Sequence, residues 1–249
     1  MTIWLYTVTF NEARILPFFL RHYAQICDRI TVVDDRSTDG TRELVRGWNA
    51  ARNGRAEVVL EDYPHRGGLD DMELLAFAKA TYRRAHGCAH WCIWVDPDEF
   101  LYHPELLPRL ETLRQAGVEV PLTRGYQMIG DTFPDFASGR QITELVTEGI
   151  EDPIYAKPCL FMPHVEMNWE LGKHYVHGSF NRGQYAGLKL LHYRCLGLEY
   201  LRGRHARNYA RCSQANKDSG LGVGVYPDYT GHMSEPWFKS VWPNRTKII

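Results

Sequence analysis

The first hundred residues alternate between strand-forming and helix-forming segments, and this alternation limits the fold more than any other feature of the sequence. Apolar runs suited to strands occur at residues 3–10, 29–33, 56–60 and 91–95. The segments between them are long enough for helices, and the apolar residues of the first one fall on a single helical face. Strands separated by helices of this length pair in parallel. The sequence therefore predicts an α/β fold with a mostly parallel sheet flanked by helices.

Two aspartates, Asp96 and Asp98, follow the last of these strands and enclose a single proline. Ligands of parallel sheets bind where the strands end at their carboxyl edge. Two carboxylates fixed at that edge repel each other unless a cation lies between them. Mg²⁺ or Mn²⁺ held by a few carboxylates and the phosphates of a substrate is the usual arrangement. The alternative interpretation is that residues 96–98 form a polar turn.

A second acidic pair, Asp34 and Asp35, ends the run at 29–33 and precedes a polar turn at residues 36–41. A carboxylate at this place can accept hydrogen bonds from a ribose or from a pyrimidine N–H. The amino end of the following helix can hold an anionic group. The alternative is an ordinary capped turn between a strand and a helix. The two acidic strand ends are expected to meet at one edge of the sheet.

Bulk properties narrow the class of protein. The chain has 249 residues, a formal net charge of −1 and a pI of about 6.8, so no overall basic field attracts nucleic acid. No apolar run approaches the roughly 20 residues of a transmembrane helix, and the first residues lack the pattern of a signal peptide. We expect a cytoplasmic protein whose six cysteines are reduced. Zinc at residues 86–92 is not expected, because no second ligand pair follows.

Beyond residue 105 the pattern weakens. An amphipathic helix is predicted over 104–116 and a strand over 118–122, whereas residues 125–184 show little periodicity. A short strand at 189–191, a helix at 199–214 and an irregular tail complete the prediction. This part of the chain is expected to form a smaller, irregular lobe.

Three segments resemble the family 2 glycosyltransferases and their relatives of the GT-A fold. These segments are TVTFNE at 7–12, VVDDRSTDGT at 32–41 and WVDPDEFL at 94–101, the last in the DxDEF variant of one branch. Their order and spacing agree with the family over about the first 105 residues. The resemblance implies a metal-dependent glycosyltransferase that moves a sugar from a nucleotide-sugar donor to a hydroxyl acceptor. The expected donor is UDP-linked, and the expected transfer inverts the configuration of the anomeric carbon.

The resemblance also implies residues for nucleotide binding. Asp35 would hold the ribose or the base, and the backbone near Thr9 and Asn11 would line the base pocket together with Glu12. Arg66 could contact the phosphates, although a solvated loop arginine is the more ordinary interpretation.

For the metal, the resemblance points to Mn²⁺ or Mg²⁺ at the second acidic turn. Asp96 would contact the ribose or the metal, and Asp98 would bind the cation that bridges the diphosphate. A neutral histidine from the second part of the chain could complete the metal shell. His192 is the first candidate and His174 the second, and the alternative for each is an ordinary hydrogen-bonded histidine.

An inverting transfer needs a general base. By the resemblance this base is an acid beyond the metal motif, and Asp131 lies about where it should be, with Glu166 and Glu170 as competitors. The late helix carries several basic residues that suit a solvated face or an anion site. They are Arg202, Arg204, His205, Arg207 and Arg211.

The predicted organisation is a nucleotide-sugar-binding half at 1–105 and an acceptor-side lobe with a C-terminal wrap at 106–249. The acceptor could be a glycan, a lipid-linked intermediate, a protein or a modified nucleobase. Two other functions stay open at this point: a sugar nucleotidyltransferase, and a non-catalytic nucleotide-binding relative.

Overall fold

The structure is a computed structural model that describes residues 1–50, 54–64, 67–183, 187–221 and 226–249, with the side chains of residues 49 and 50 excepted. Its strands are β1 (Ile3–Thr9), β2 (Arg29–Asp34), β3 (Glu57–Asp62), β4 (Trp91–Trp94), β5 (Glu99–Tyr102), β6 (Val120–Pro121), β7 (Arg124–Gly130), β8 (Glu148–Glu151), β9 (Leu160–Phe161), β10 (Asn168–Trp169), β11 (Val176–His177), β12 (Arg182–Gly183), β13 (Lys189–Leu196) and β14 (Thr246–Lys247). Its helices are α1 (Leu16–Tyr23), α2 (Thr41–Ala50), α3 (Asp71–Thr81), α4 (Leu106–Gln115), α5 (Ile142–Leu145), α6 (Leu198–Arg211), α7 (Gln214–Asp218) and α8 (Glu235–Val241).

The first large sheet confirms the predicted α/β fold. Its strand order is β3-β2-β1-β4-β9. The first four strands are parallel, and β9 is added antiparallel to β4. All four residues of β4 are buried, as expected for a strand covered on both faces. The carboxyl ends of β1, β2 and β4 therefore meet at one edge.

A second large sheet holds most of the remaining long strands, in the order β14-β8-β7-β13-β5. Strands β7 and β13 are parallel, whereas β5 pairs antiparallel with β13. The turn at residues 96–98 lies between β4 of the first sheet and β5 of the second. Strand β9 returns from the second part of the chain to the first sheet. The two predicted parts thus exchange strands on both sides of residue 105.

Helix α1 ties the two sheets together through a buried tyrosine. Five side chains of the helix besides its proline are buried, and Tyr23 is the last of them. The Tyr23 hydroxyl donates to the Glu99 carbonyl at 3.0 Å and accepts from the Leu101 amide at 2.8 Å. These two bonds fix the start of β5, and with it the position of the acidic turn.

The second part of the chain is more regular than its sequence pattern suggests. The weakly periodic stretch 125–184 contains most of β7 and all of β8, and β13 continues to Leu196 instead of ending near 191. The tail contains α8 and the edge strand β14. The pattern is weak because β7 and β13 are buried on both faces yet carry polar residues such as Gln127 and His192.

Two bulk expectations can be compared with the described residues. None of the helices described is both long and apolar enough to cross a bilayer. The six cysteines are free thiols, and all but Cys88 are buried.

We predict that Gly125→Ala destabilises the protein. A Cβ at Gly125 in β7 would overlap the backbone of Tyr155 and Ala156. Overpacking of this kind costs about 1–3 kcal/mol. The free energy of unfolding, measured by urea titration, would report the loss. Gly47→Ala is the matched control because a Cβ there meets nothing within 4 Å and the residue lies in α2, so that variant should be slightly more stable than the wild type. Equal stability of both variants would contradict the close packing at Gly125.

Candidate active site

A cavity of about 450 Å³ opens at the carboxyl edge of the first sheet. Its walls come from the ends of β1, β2 and β4, from the start of α3, from β13 and from α6. The predicted site residues that line it are Thr9, Glu12, Asp35, Asp96, Asp98, His174 and His192. The structure therefore brings the two acidic strand ends together, with both candidate histidines beside them.

The two adjacent aspartates at the end of β2 have different partners. Asp34 accepts from the Ser37 amide at 3.0 Å and pairs with Arg42 at 2.9 Å, so it holds the turn together. Asp35 is 2% exposed and lines the cavity. It accepts from Arg36 at 2.8 Å and from Arg211, whose guanidinium lies 4.1 Å from the centre of the Phe10 ring. Asp35 is thus the member of the pair that is available to a ligand.

Asn11 has a role in the same turn. Its amide oxygen accepts from the Thr38 amide at 2.7 Å, and its own backbone N–H donates to the Ser37 hydroxyl at 2.8 Å. The residue adopts a φ of 53°, in the left-handed region. Asn11 therefore locks β1 onto the turn after β2, and it does not belong to the residues that line the cavity.

Asp96 and Asp98 occupy different environments within one turn. The Asp96 side chain is 41% exposed and lies 3.6 Å from the Lys157 ammonium. Burial raises the pKa of Asp96, but the charges of Lys157, Lys173 and Arg204 outweigh it and hold that pKa below its usual value. Asp98 is 1% exposed and contacts Arg204 and His192. Asp96 faces the cavity with a full negative charge, whereas Asp98 forms part of the floor of the cavity.

Glu99, the third acid of the DxDEF motif, stabilises the turn from its buried side. Its carboxylate accepts from the Asp96 amide at 3.0 Å and pairs with the buried Lys157. Burial lowers the pKa of Lys157, but the nearby Glu99 and Asp96 raise it by more, so the net shift of this pKa is upward. Lys157 thus stays charged and compensates two carboxylates of the motif.

Arg204 of α6 crosses the floor of the cavity. It is buried, donates to Glu12 from Nε at 3.0 Å, and pairs with Asp98 on its other side. Arg202, two residues earlier on the helix, is exposed and pairs with Glu235 at 2.6 Å. The basic run of the late helix is therefore split between a buried face and a solvated one. The helical spacing of Arg204, Asn208 and Arg211 could have separated the two faces from sequence.

His192 lies in β13, opposite Gln127 of β7 and Glu99 of β5. It is 3% exposed, and its ring stacks on Tyr155 with centroids 4.0 Å apart. Its Nε2 lies 3.0 Å from Asp98 Oδ2. The pKa of His192 falls to about 3, mainly because the ring is buried. The imidazole is therefore neutral near pH 7.

His174 reaches the cavity from the other side. Its Nδ1 lies 2.6 Å from the Ile154 carbonyl, so Nδ1 carries a proton and Nε2 has a free lone pair. Burial first, then the Lys157 charge, lowers the pKa of His174 to about 4. Both candidate histidines are thus neutral, which a metal ligand requires.

The predicted base does not reach the cavity. Asp131 follows the end of β7, its side chain is 64% exposed, and it accepts from the Trp242 indole at 3.0 Å and lies 3.3 Å from Arg245. The competing acids Glu166 and Glu170 pair with surface residues and do not line the cavity either. Arg66 lies outside the described residues.

The fit of a divalent cation depends on Asp98 and His192. Within the described ranges no three His, Cys, Asp or Glu side chains converge as a metal cage of their own. However, Asp98 Oδ2, which also pairs with Arg204, and a neutral His192 Nε2 are two acceptor atoms 3.0 Å apart, and Asp96 is open to the cavity. Mg²⁺-type sites commonly use only one or two carboxylates and complete their shell with substrate phosphates and water. The donor set present is compatible with such a site.

The parallel sheet and the acidic strand ends around one cavity are the arrangement expected of a glycosyltransferase of the GT-A fold. The model of the family described as "Glycosyl transferase family 2" matches residues 5–162, and the chain belongs to this family. The confirmed expectations are therefore the fold class, the family and the general enzyme class.

Solved structures of S. aureus TarS are similar to this chain at low identity. TarS 1–349 in complex with UDP shares 17% identity over 66% of this chain and 47% of that chain, with a TM-score of 0.45. TarS 1–349 alone shares 12% identity over 92% and 73% of the two chains, with a TM-score of 0.47. This chain thus spans about half the length of the UDP complex. A comparison with curated proteins finds no match.

Proposed function

We propose that the cavity binds a nucleotide sugar, UDP-linked, together with Mn²⁺ or Mg²⁺, and that the enzyme transfers the sugar to a hydroxyl acceptor with inversion. One observation carries this proposal: Asp35 and the Asp96–Asp98 turn, about sixty residues apart in sequence, line the same cavity at the end of three parallel strands. A nucleoside and a diphosphate are the two ligand parts that these separate acidic groups would hold.

The nucleoside would bind at the end formed by β1 and β2. Asp35 is a fixed acceptor for ribose hydroxyls or a pyrimidine N–H, because Arg36 and Arg211 hold its carboxylate in place. Thr9 and Glu12 line this end of the cavity, and Phe10 with Arg211 adds a flat surface. The role of Asn11 would be indirect, through the turn that it closes.

The diphosphate would extend toward the Asp96–Asp98 turn. Among the described residues that line the cavity, six are carboxylates and five are lysines or arginines, so the donor's own negative charge needs further compensation. Asp96, Asp98 and His192 would hold a divalent cation, with His174 as a second imidazole close by. When bound, the cation stabilises the negative charge that develops on the leaving diphosphate. Lys173 and Arg204 add fixed positive charge to the same end.

The transfer itself would be a direct displacement. The acceptor oxygen forms a bond to the anomeric carbon, the bond from that carbon to the diphosphate oxygen breaks, and the hydroxyl proton passes to a base. We assign no step to Asp131, because it lies outside the cavity. A glycan, a lipid-linked intermediate, a protein or a modified nucleobase could each supply the hydroxyl.

Donor binding tests the proposal directly. Isothermal titration of UDP with Mn²⁺ should show binding to the wild type. Asp35→Asn should weaken UDP binding about 10- to 100-fold, because a hydrogen bond to a charged group contributes about 1.5–3 kcal/mol. Asp62→Asn is the matched control, because Asp62 ends the neighbouring strand β3 and is exposed to solvent. Binding of UDP by Asp35→Asn at wild-type affinity, or no binding by the wild type, would refute the nucleotide site.

A further inference from the structure

A chain of polar contacts runs from the floor of the cavity into the second sheet. Asp98 Oδ2 lies 3.0 Å from His192 Nε2, and His192 Nδ1 lies 2.8 Å from Gln127 Oε1. Gln127 Nε2 donates to Asp152 Oδ2 at 3.2 Å, and His232 Nε2 lies 2.6 Å from the same oxygen. Gln127 is fully buried, so its amide cannot exchange these partners for water.

The direction of each hydrogen bond in this series of contacts follows from its Asp152 end. The Asp152 carboxylate already accepts from the Ile154 amide at 3.2 Å. An ionised carboxylate only accepts hydrogen bonds, so the Gln127 group that faces it must be the NH₂. The amide oxygen of Gln127 then faces His192 Nδ1. Because an amide oxygen only accepts, the proton of the imidazole must be on Nδ1.

With Nδ1 donating to Gln127, Nε2 is the ring nitrogen that faces Asp98, 3.0 Å from its Oδ2. Arg204 pairs with this same oxygen, Oδ2, and supplies positive charge to the Asp98 carboxylate. In the Nδ1–H tautomer, two acceptor atoms therefore face each other in a buried place. Such a pair is stabilised when a cation binds between or beside the two atoms.

We infer that Gln127 is a positioning residue which, held by Asp152, fixes the proton of His192 on Nδ1 and presents Nε2 to a divalent cation at Asp98. The inference rests on the proposed function for its metal, but the tautomer itself is a property of the metal-free protein. Hydrogen bonds to the far nitrogen of a ligating histidine commonly set its tautomer and the basicity of the other nitrogen. Gln127 does not touch substrate in this role.

The test combines NMR of the metal-free protein with Mn²⁺ binding. Histidine-selective ¹⁵N labelling and a two-bond ¹H–¹⁵N spectrum should show His192 as the neutral Nδ1–H tautomer. Gln127→Met keeps the volume but removes the acceptor, so the Nδ1–H tautomer should be lost. Mn²⁺ affinity, measured by EPR with saturating UDP, should fall about 10- to 100-fold. Gln115→Met, at the exposed end of α4, is the matched control and should change neither readout.

A double variant distinguishes hydrogen bonding from packing. Gln127→Glu with Asp152→Asn exchanges the amide and the carboxylate, so position 127 still accepts from His192 Nδ1 and position 152 now donates. This variant should recover the Nδ1–H tautomer and most of the Mn²⁺ affinity that Gln127→Met loses. Thermal unfolding of each variant would show that it is folded.

The outcomes separate this inference from the proposed function. Wild-type protein that binds UDP and Mn²⁺ while His192 carries its proton on Nε2, or on both nitrogens, would overturn the inference and leave the proposed function standing. Wild-type Mn²⁺ affinity in a folded Gln127→Met variant would overturn it as well. Failure of the wild type to bind UDP and Mn²⁺ would overturn the proposed function, whatever the tautomer.

Discussion

Asp98→Asn is expected to reduce sugar transfer at least about 100-fold while the protein remains folded. The substitution keeps the shape of the side chain but removes the charge that Asp98 would offer to a cation at the diphosphate. Arg204 keeps its contact with Glu12, so the floor of the cavity retains one ion pair. Release of UDP from a panel of UDP-sugars, followed with and without Mn²⁺, would measure the effect. Nucleotide-sugar hydrolysis is a suitable readout until an acceptor is found.

Asp218→Asn is the control for this experiment. Asp218 is an exposed residue at the end of α7 that bonds only to Gln214 among the described contacts, so turnover should stay at the wild-type level. Circular dichroism would establish that Asp98→Asn is folded. Wild-type turnover in that variant would exclude Asp98 from the chemistry, and with it the metal site proposed at the turn.

Arg204→Met is expected to cost about 3–5 kcal/mol of folding free energy, as is typical when one partner of a buried ion pair is removed. The substitution leaves Glu12 and Asp98 as buried carboxylates without their shared cation. Chemical denaturation would measure the loss. Arg202→Met provides a matched comparison on the same helix, and it should change stability little because Arg202 is on the solvated face.

A second substitution checks the physical reason for the effect of Arg204→Met. Glu12→Gln in that background removes one of the two unpaired charges, so it should recover part of the lost stability. If the double variant is no more stable than Arg204→Met alone, lost packing of the long arginine side chain explains the effect and the ion pair does not.

The acidic strand ends could be predicted from sequence because their signal is local, whereas the histidines were predicted from the family resemblance. A short motif after an apolar run places Asp35, Asp96 and Asp98 at the edge of a parallel sheet, and that edge is fixed by the fold class. His192 was predicted at the end of a short strand, whereas it lies inside β13, where pairing with β5 and β7 directs it to the cavity. The residue was found, but the reason for its position is tertiary.

Other site residues have no local signal. Gln127 and Tyr155 reach the site through strand pairing and packing that no short motif reports. Asp131 shows how order along the chain can differ from position in the fold. It follows the metal motif in sequence, but it lies just after the end of β7, four residues or roughly 13 Å beyond Gln127 at the rise of a strand, and it does not line the cavity. The buried and the solvated arginines of α6 could be separated only by following the helical period residue by residue.

The acidic turn is also the place where the backbone leaves one sheet and enters the other. The ends of β1, β2 and β4 at the cavity belong to the first sheet, whereas His192 and Arg194 come from β13 of the second, and the Asp96–Asp98 turn lies at the boundary between the sheets. If the proposed function is correct, this boundary would let the residues from the second sheet change in shape and polarity during evolution while the proposed nucleotide site keeps its geometry. New acceptor preferences could then arise without rebuilding the proposed donor site.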